Sequence, residues 1–191
     1  MSRLIRILGQ DPAFSNFGLA MVDVDPVTKE MFPVWIDLIE TKKATNKQIR
    51  VSSDKVSRAR QIIIKVRDSE HCANLIAAEI PSGAQSASAA NALGIALGIV
   101  AGHTKPLIEV TAAEAKKAAT GYSDASKFDM VDWAYGEWPD LNWAKGRAAG
   151  MPEGLANKNE HMADALAVVK AATMTATFEN AAAMLNAMAA E

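Results

Sequence analysis

Residues 3–25, RLIRILGQDPAFSNFGLAMVDVD, decide how the rest of the chain is read. Leu4, Ile5, Ile7 and Leu8 make one apolar run, and Leu19, Ala20, Met21 and Val22 make a second. Between them lies DPAFSNFG, whose Pro, Ser, Asn and Gly are turn formers, so the stretch predicts a β-hairpin. Asp11 falls where the first strand ends, and Pro12 after it cannot donate to a ladder. An acid at the end of a buried strand needs a partner, and a cation is the cheapest at neutral pH. Taken alone, Asp11 reads equally well as a turn cap.

Working outward, residues 31–41 (MFPVWIDLIET) carry the Val, Ile, Phe and Trp of a third strand, which completes an antiparallel meander. Residues 42–67 then hold nine of the twenty basic residues against a single acid, Asp54. Val56, Ala59, Ile62, Ile63 and Val66 recur there at helical spacing, which predicts an amphipathic helix with a basic outer face. A merely solvated face is the plain alternative, but one-signed density of this kind suits a polyanion. Residues 74–79 (NLIAAE) read as a short strand ending in Glu79, broken by Pro81-Ser82-Gly83. A long Ala-rich helix is predicted over 84–102, a fifth strand over 106–110, and a short helix opened by the Thr111/Glu114 capping box. Helices follow over 126–137 and 159–172. Residues 139–158 have neither period and read as a long loop, and 173–191 as a last helix.

The order β-β-β-α-β-α-β-α-α-α predicts an α/β fold: a mixed five-stranded sheet, the three-strand meander plus two further strands, flanked by helices. The expected organisation is one domain over 1–172 with a helical extension over 173–191. The 191 residues are half apolar and about a fifth charged, which excludes disorder. Cys72 is the single cysteine, so no intramolecular disulfide forms and a reducing, cytoplasmic setting is expected. Residues 81–102 are uncharged and long enough to span a bilayer, but their Ser, Gln and Asn and their alanine content predict a buried helix and no membrane partner.

Two strands predicted to be central therefore end in acids, Asp11 and Glu79. On the 159–172 helix, His161 and Asp164 are three apart and share a face. Should that helix pack near the two strand ends, Asp11, Glu79, His161 and Asp164 would converge into a mostly oxygen site. Mg²⁺ uses few carboxylates and keeps waters for phosphates, and two ions about 4 Å apart serve phosphodiester hydrolysis. Singly, Glu79 also reads as an exposed strand end, His161 as an ordinary helix N-terminal residue and Asp164 as an ion-pair member. Glu160 shares a face with Asp164 and is an alternative fourth ligand.

In these residues the chain resembles the RuvC family of Holliday-junction resolvases. The likeness runs from about Leu4 to Ala172. It rests on Ile7-Leu8-Gly9-x-Asp11-Pro12 with Gly18 and Ala20, on Glu79 and the uncharged helix after it, and on the step from Val110 to Lys117. It rests also on Ser126-Lys127 before Met130-Val131, and on His161-Met162-Ala163-Asp164-Ala165-Leu166-Ala167. The resemblance implies an RNase H-like fold and a homodimer. It further implies two divalent metals held by Asp11, Glu79, His161 and Asp164, and Lys127 near the scissile phosphate. The chain departs from the family at Ala13, where glycine is common. No aromatic that could stack on a base follows Glu79, and the 139–158 loop is long; a phage-type member would show such divergence.

The expected activity is a metal-dependent endonuclease, using Mg²⁺ or Mn²⁺, that nicks four-way junctions symmetrically and leaves 5′-phosphate and 3′-hydroxyl ends. Candidate DNA contacts are Lys42, Lys43, Lys47, Arg50 and Arg58, with Ser82 and Gln85 after Glu79. Phe14 or Phe17, in the hairpin turn, is a candidate for the missing base contact. Gly94, Gly98 and Gly102 form a small-residue stripe suited to a homodimer seam. The rival readings are a less selective nuclease for branched or RNA-containing duplexes, and a DNA-binding module without catalysis. An actin-like nucleotide-binding fold also begins with a strand-turn-strand around an acid, but its second phosphate loop is missing here.

Overall fold

The computed structural model describes residues 4–81, 83 and 86–188. Strands β1 (Ile5–Asp11) and β2 (Asn16–Val24) form the predicted hairpin, with Ile5 opposite Val24 and Asp11 opposite Gly18. Strand β3 (Met31–Glu40) adds antiparallel to the outer side of β2. Strands β4 (Leu75–Glu79) and β5 (Leu107–Val110) extend the other side, β4 parallel to β1 and β5 parallel to β4. The sheet order is β3-β2-β1-β4-β5. Pro33 sits on the edge strand β3, beside a register shift at Met21/Val22, where its missing N–H is tolerated.

Among the described residues six helices flank the sheet: α1 (Val51–Glu70), α2 (Ala87–Ala101), α3 (Ala112–Thr120), α4 (Lys127–Glu137), α5 (Asn159–Ala172) and α6 (Ala176–Met188). They divide between its faces because side chains alternate along each strand. On one face Ile5, Ile7, Val22 and Leu75 pack with Met130, Leu166, Val169 and, from α6, Phe178 and Ala182. On the other, Leu8, Phe17, Leu19 and Ile76 pack with Ile62 and Val66 of α1 and Ile99 and Val100 of α2.

Helix α5 is the structural centre of the first layer, touching β1, β2 and β4 and flanked by α3 and α4. Ten of its fourteen residues are buried, many of them alanine, so its backbone lies close to the sheet. Two strand glycines permit this approach. A Cβ on Gly9 would overlap the Ala165 carbonyl, and one on Gly18 would overlap the carbonyl of His161.

Some boundaries differ from expectation. Residues 42–50 are exposed and lack regular structure, and α1 runs on to Glu70. Helix α2 starts at Ala87, capped by the Ser86 hydroxyl. The 139–158 loop is anchored: Trp143 and Leu155 are buried, Lys145 and Leu155 form an antiparallel bridge, and buried Asn159 bonds the N–H and C=O of Ala144. Among the described residues no helix is long and apolar enough to cross a membrane.

Candidate active site

Parallel pairing sets Gln10 beside Ala78, so the next residues, Asp11 and Glu79, end neighbouring strands at the same edge of the sheet. Helix α5 begins over this edge. The close approach at Gly18, the residue opposite Asp11, fixes the first turn of α5 directly above the β1 end. His161 Nδ1 lies 2.6 Å from Asp11 Oδ2, with both side chains largely buried. Asp164, one turn further along α5, faces the same cavity of about 250 Å³, which Asp11, Glu79, His161, Glu160, Lys127 and Lys116 also line.

Four carboxylates share this space, and their charge is felt. Burial, then the charge of Asp11 and of Glu79, pushes the Asp164 carboxyl up to about 8. Burial and Asp11 push Glu79 up to about 7, against the opposing pull of Lys116 and His161. For His161, burial disfavours the charged ring, but the hydrogen bond and charge of Asp11 override this and raise its pKa. Like charges crowded in a partly desolvated cavity keep protons that a bound cation would displace.

The donor chemistry fits a hard divalent ion: carboxylate oxygens with one imidazole, in an open cavity with room for water and a phosphate. As placed, no three His, Cys, Asp or Glu side chains among the described residues stand close enough to hold one ion. Asp11 instead engages His161, and Glu160 engages Lys127 at 2.8 Å and lies 3.5 Å from His161 Nε2.

Lys127 opens α4, whose N-terminus is fixed by the reciprocal Ser126/Asp129 capping box. Its ammonium is well exposed and tied to Glu160. Sequence reasoning missed Lys116. Its signal was the capped α3 that follows β5, since Val110 at the end of β5 pairs with Glu79 and carries the start of α3 to the cavity.

The proposed nucleic-acid contacts separate into two groups. Lys42, Lys43, Lys47 and Arg50 are exposed in the segment between β3 and α1. Arg58 is not with them. It is 7% exposed, its guanidinium donates to Thr41 Oγ1 and Ser15 Oγ at 3.0 Å each, and it stacks 4.2 Å over the Phe14 ring. A cation buried and bonded inside the protein is not presented to phosphate, so Arg58 is a tie between α1 and the hairpin turn. The expectation for Phe14 and Phe17 is corrected likewise. Both are buried in the layer under α1 and α2, because the turn folds inward and cannot offer a ring to a base. Ser82 and Gln85 lie outside the described residues.

The fold is RNase H-like and is similar to that of solved Holliday junction resolvases. RuvC of T. thermophilus in complex with a Holliday junction substrate aligns over 87% of this chain and 92% of its own, at TM-score 0.59 and 20% identity. A second Thermus thermophilus RuvC structure gives 0.58 and 21% over the same shares. The yeast mitochondrial Holliday junction resolvase Ydc2 aligns over 96% of this chain and 82% of its own, at TM-score 0.62 and 12% identity. By sequence, no protein-family profile and no curated protein matches the chain.

Proposed function

We propose that the chain is a metal-dependent endonuclease for branched DNA, with the four-way junction as its substrate. The observation that carries this reading is the meeting of Asp11, Glu79, His161 and Asp164 in one cavity, at the joined ends of β1 and β4 under the start of α5. These four residues would hold Mg²⁺ or Mn²⁺, two ions per site, which supply an activated water and stabilise the departing 3′ oxygen.

The chain's own groups have separable tasks. Asp11, bonded to His161, would be among the ligands, and His161 would either ligate or orient the attacking water. Glu79 and Asp164, which hold protons in the metal-free cavity, would have to give them up to serve as ligands. Lys127, released from Glu160 by the incoming phosphate, would offset charge on the non-bridging oxygens, with Lys116 beside it. The exposed Lys42, Lys43, Lys47 and Arg50 would follow the phosphate backbone.

A second copy of the chain is the proposed partner. Helix α2 has no charged residue, and side chains added at Gly94 and Gly98 would meet open space. Two-fold pairing through this face would present two sites to the two symmetric strands of a junction.

The burial of Phe14 and Phe17 favours one second reading, a nuclease that recognises branched shape without base-specific contacts. A panel of end-labelled junction, fork, flap and linear duplexes with Mg²⁺ or Mn²⁺ separates the readings. Cutting confined to junctions supports the first, cutting of every branched form supports the second, and salt-sensitive binding without any cutting overturns both.

A further inference from the structure

Gln10, the residue before Asp11, is fully buried, and its side chain points away from the cavity into the apolar layer of Leu8, Leu19, Ile76 and Ala78. An amide there costs about 1–3 kcal/mol for each polar group left unpaired, so a leucine would be the simpler choice. The amide is paired. Gln10 Nε2 lies 2.8 Å and Oε1 3.1 Å from His103 Nε2, and His103 Nδ1 lies 3.0 Å from Glu70 Oε2. Glu70 Oε1 accepts from Thr104 N–H at 2.7 Å, the Thr104 hydroxyl at 2.8 Å and Lys105 N–H at 3.1 Å.

A carboxylate only accepts, so His103 Nδ1 carries the proton to Glu70, while His103 Nε2 meets the Gln10 amide on its other side. The chain of bonds is therefore continuous from end to end. It starts at the last residue of α1, passes through the turn that joins α2 to β5, and ends on β1 one residue before Asp11. Gln10 is paired with Ala78, one residue before Glu79, so the lock acts at the root of both acids. Apolar packing resists separation but is weakly directional, whereas a satisfied buried network fixes orientation. Reacting geometry is sensitive on the scale of tenths of an ångström.

We propose that Gln10, His103 and Glu70 are positioning residues that hold the Asp11 and Glu79 strand ends in register beneath the cavity. The inference rests on the reading of that cavity as a metal-dependent nuclease site.

Gln10→Met keeps the volume and removes the amide. The full-length variant would be compared with wild type in melting temperature, Mn²⁺ titration calorimetry, junction binding, and the NMR resonance of the His161 Nδ1 proton, which reports the bond to Asp11. The expected result is a folded protein with junction affinity within about twofold of wild type and Mn²⁺ affinity weakened about tenfold, the scale seen for groups behind metal ligands. The His161 resonance should shift, and the nicking kcat should fall at unchanged KM. Val66→Ala, in the same layer but outside the network, controls for lost stability and should leave Mn²⁺ affinity and the resonance unmoved. Should Gln10→Met not fold, His103→Leu breaks the same link and is read identically. A lowered melting temperature with unchanged Mn²⁺ affinity and unchanged His161 resonance would overturn the proposal. A wild type that binds no Mn²⁺ and cuts nothing would overturn the metal-nuclease reading instead, while the His161 resonance would still report on the lock.

Discussion

At the scale of single residues, the cavity sets carboxylates against one another. Asp164 and Glu79 are protonated in the metal-free protein to about pH 8 and about pH 7. The sign follows from proton counting. The folded state holds protons that the unfolded chain has lost above the ordinary carboxylate range, so metal-free stability falls as pH rises through that range toward 8. Asp164→Asn is therefore expected to stabilise the metal-free protein at pH 8.5, by on the order of 1 kcal/mol or more, with a smaller effect at pH 5. Because loading must release the same protons, the melting-temperature rise produced by Mg²⁺ or Mn²⁺ should grow from pH 6 to pH 9. Differential scanning fluorimetry across that range reads both effects, and a metal response that is flat with pH would count against loading at these acids. Glu160→Gln and His161→Ala rank the fourth ligand. Glu160 is already neutralised by Lys127 at 2.8 Å, whereas His161 contacts Asp11 directly. Loss of His161 should cost Mn²⁺ affinity by more than the ~10–100-fold typical of groups behind the ligands, and loss of Glu160 by less.

At the scale of elements, glycines separate the two faces of the sheet. Gly18→Ala drives a methyl into the His161 carbonyl and must lift the start of α5. It should destabilise by at least the ~1–3 kcal/mol of ordinary overpacking and abolish metal binding together with it. Gly94→Ala, on open α2, meets nothing. In an isolated monomer it should stabilise by up to about 1 kcal/mol through helix propensity. The basic segment divides as sharply. Lys42→Ala, Lys43→Ala and Lys47→Ala should each flatten the salt dependence of junction binding by about 0.9 in log–log slope for a lost phosphate contact. Arg58→Ala should leave that slope unchanged and lower stability by roughly 1–3 kcal/mol, since Thr41 and Ser15 lose a buried donor. Helical periodicity placed Arg58 on a basic helix but could not say which way it faced. Its partners, Phe14, Ser15 and Thr41, come from the hairpin turn and the end of β3, and no local pattern reports that meeting.

At the scale of the whole molecule, the sheet and its helices were legible because each strand and helix carries its own period, and the meander follows from its short connections, whereas the place of β4 beside β1 does not. The meeting of Asp11, Glu79, His161 and Asp164 was legible only through the order of motifs. What brings α5 onto the sheet is backbone contact at Gly9 and Gly18, and glycine by itself carries no sign of what approaches it. Lys116 and the Gln10–His103–Glu70 chain were hidden for the same reason, since their partners are distant in sequence. The proposed assembly is tested at this scale too. Gly98→Arg, on the open α2 face, should convert a sedimenting dimer to monomer while leaving the fold intact, and a wild type that sediments as a monomer at micromolar concentration would remove the seam.

The central claim is that the carboxylate cavity cuts branched DNA. The most direct measurement is single-turnover cleavage of an end-labelled four-way junction by wild type and Asp11→Asn, with Mn²⁺ and with EDTA, followed by ligation of the products. The expected result is paired symmetric nicks that ligase reseals, loss of cutting with EDTA and in Asp11→Asn, and junction affinity unchanged in the variant. Cutting that survives in Asp11→Asn, or a wild type that binds the junction and never nicks it with either metal, would contradict it.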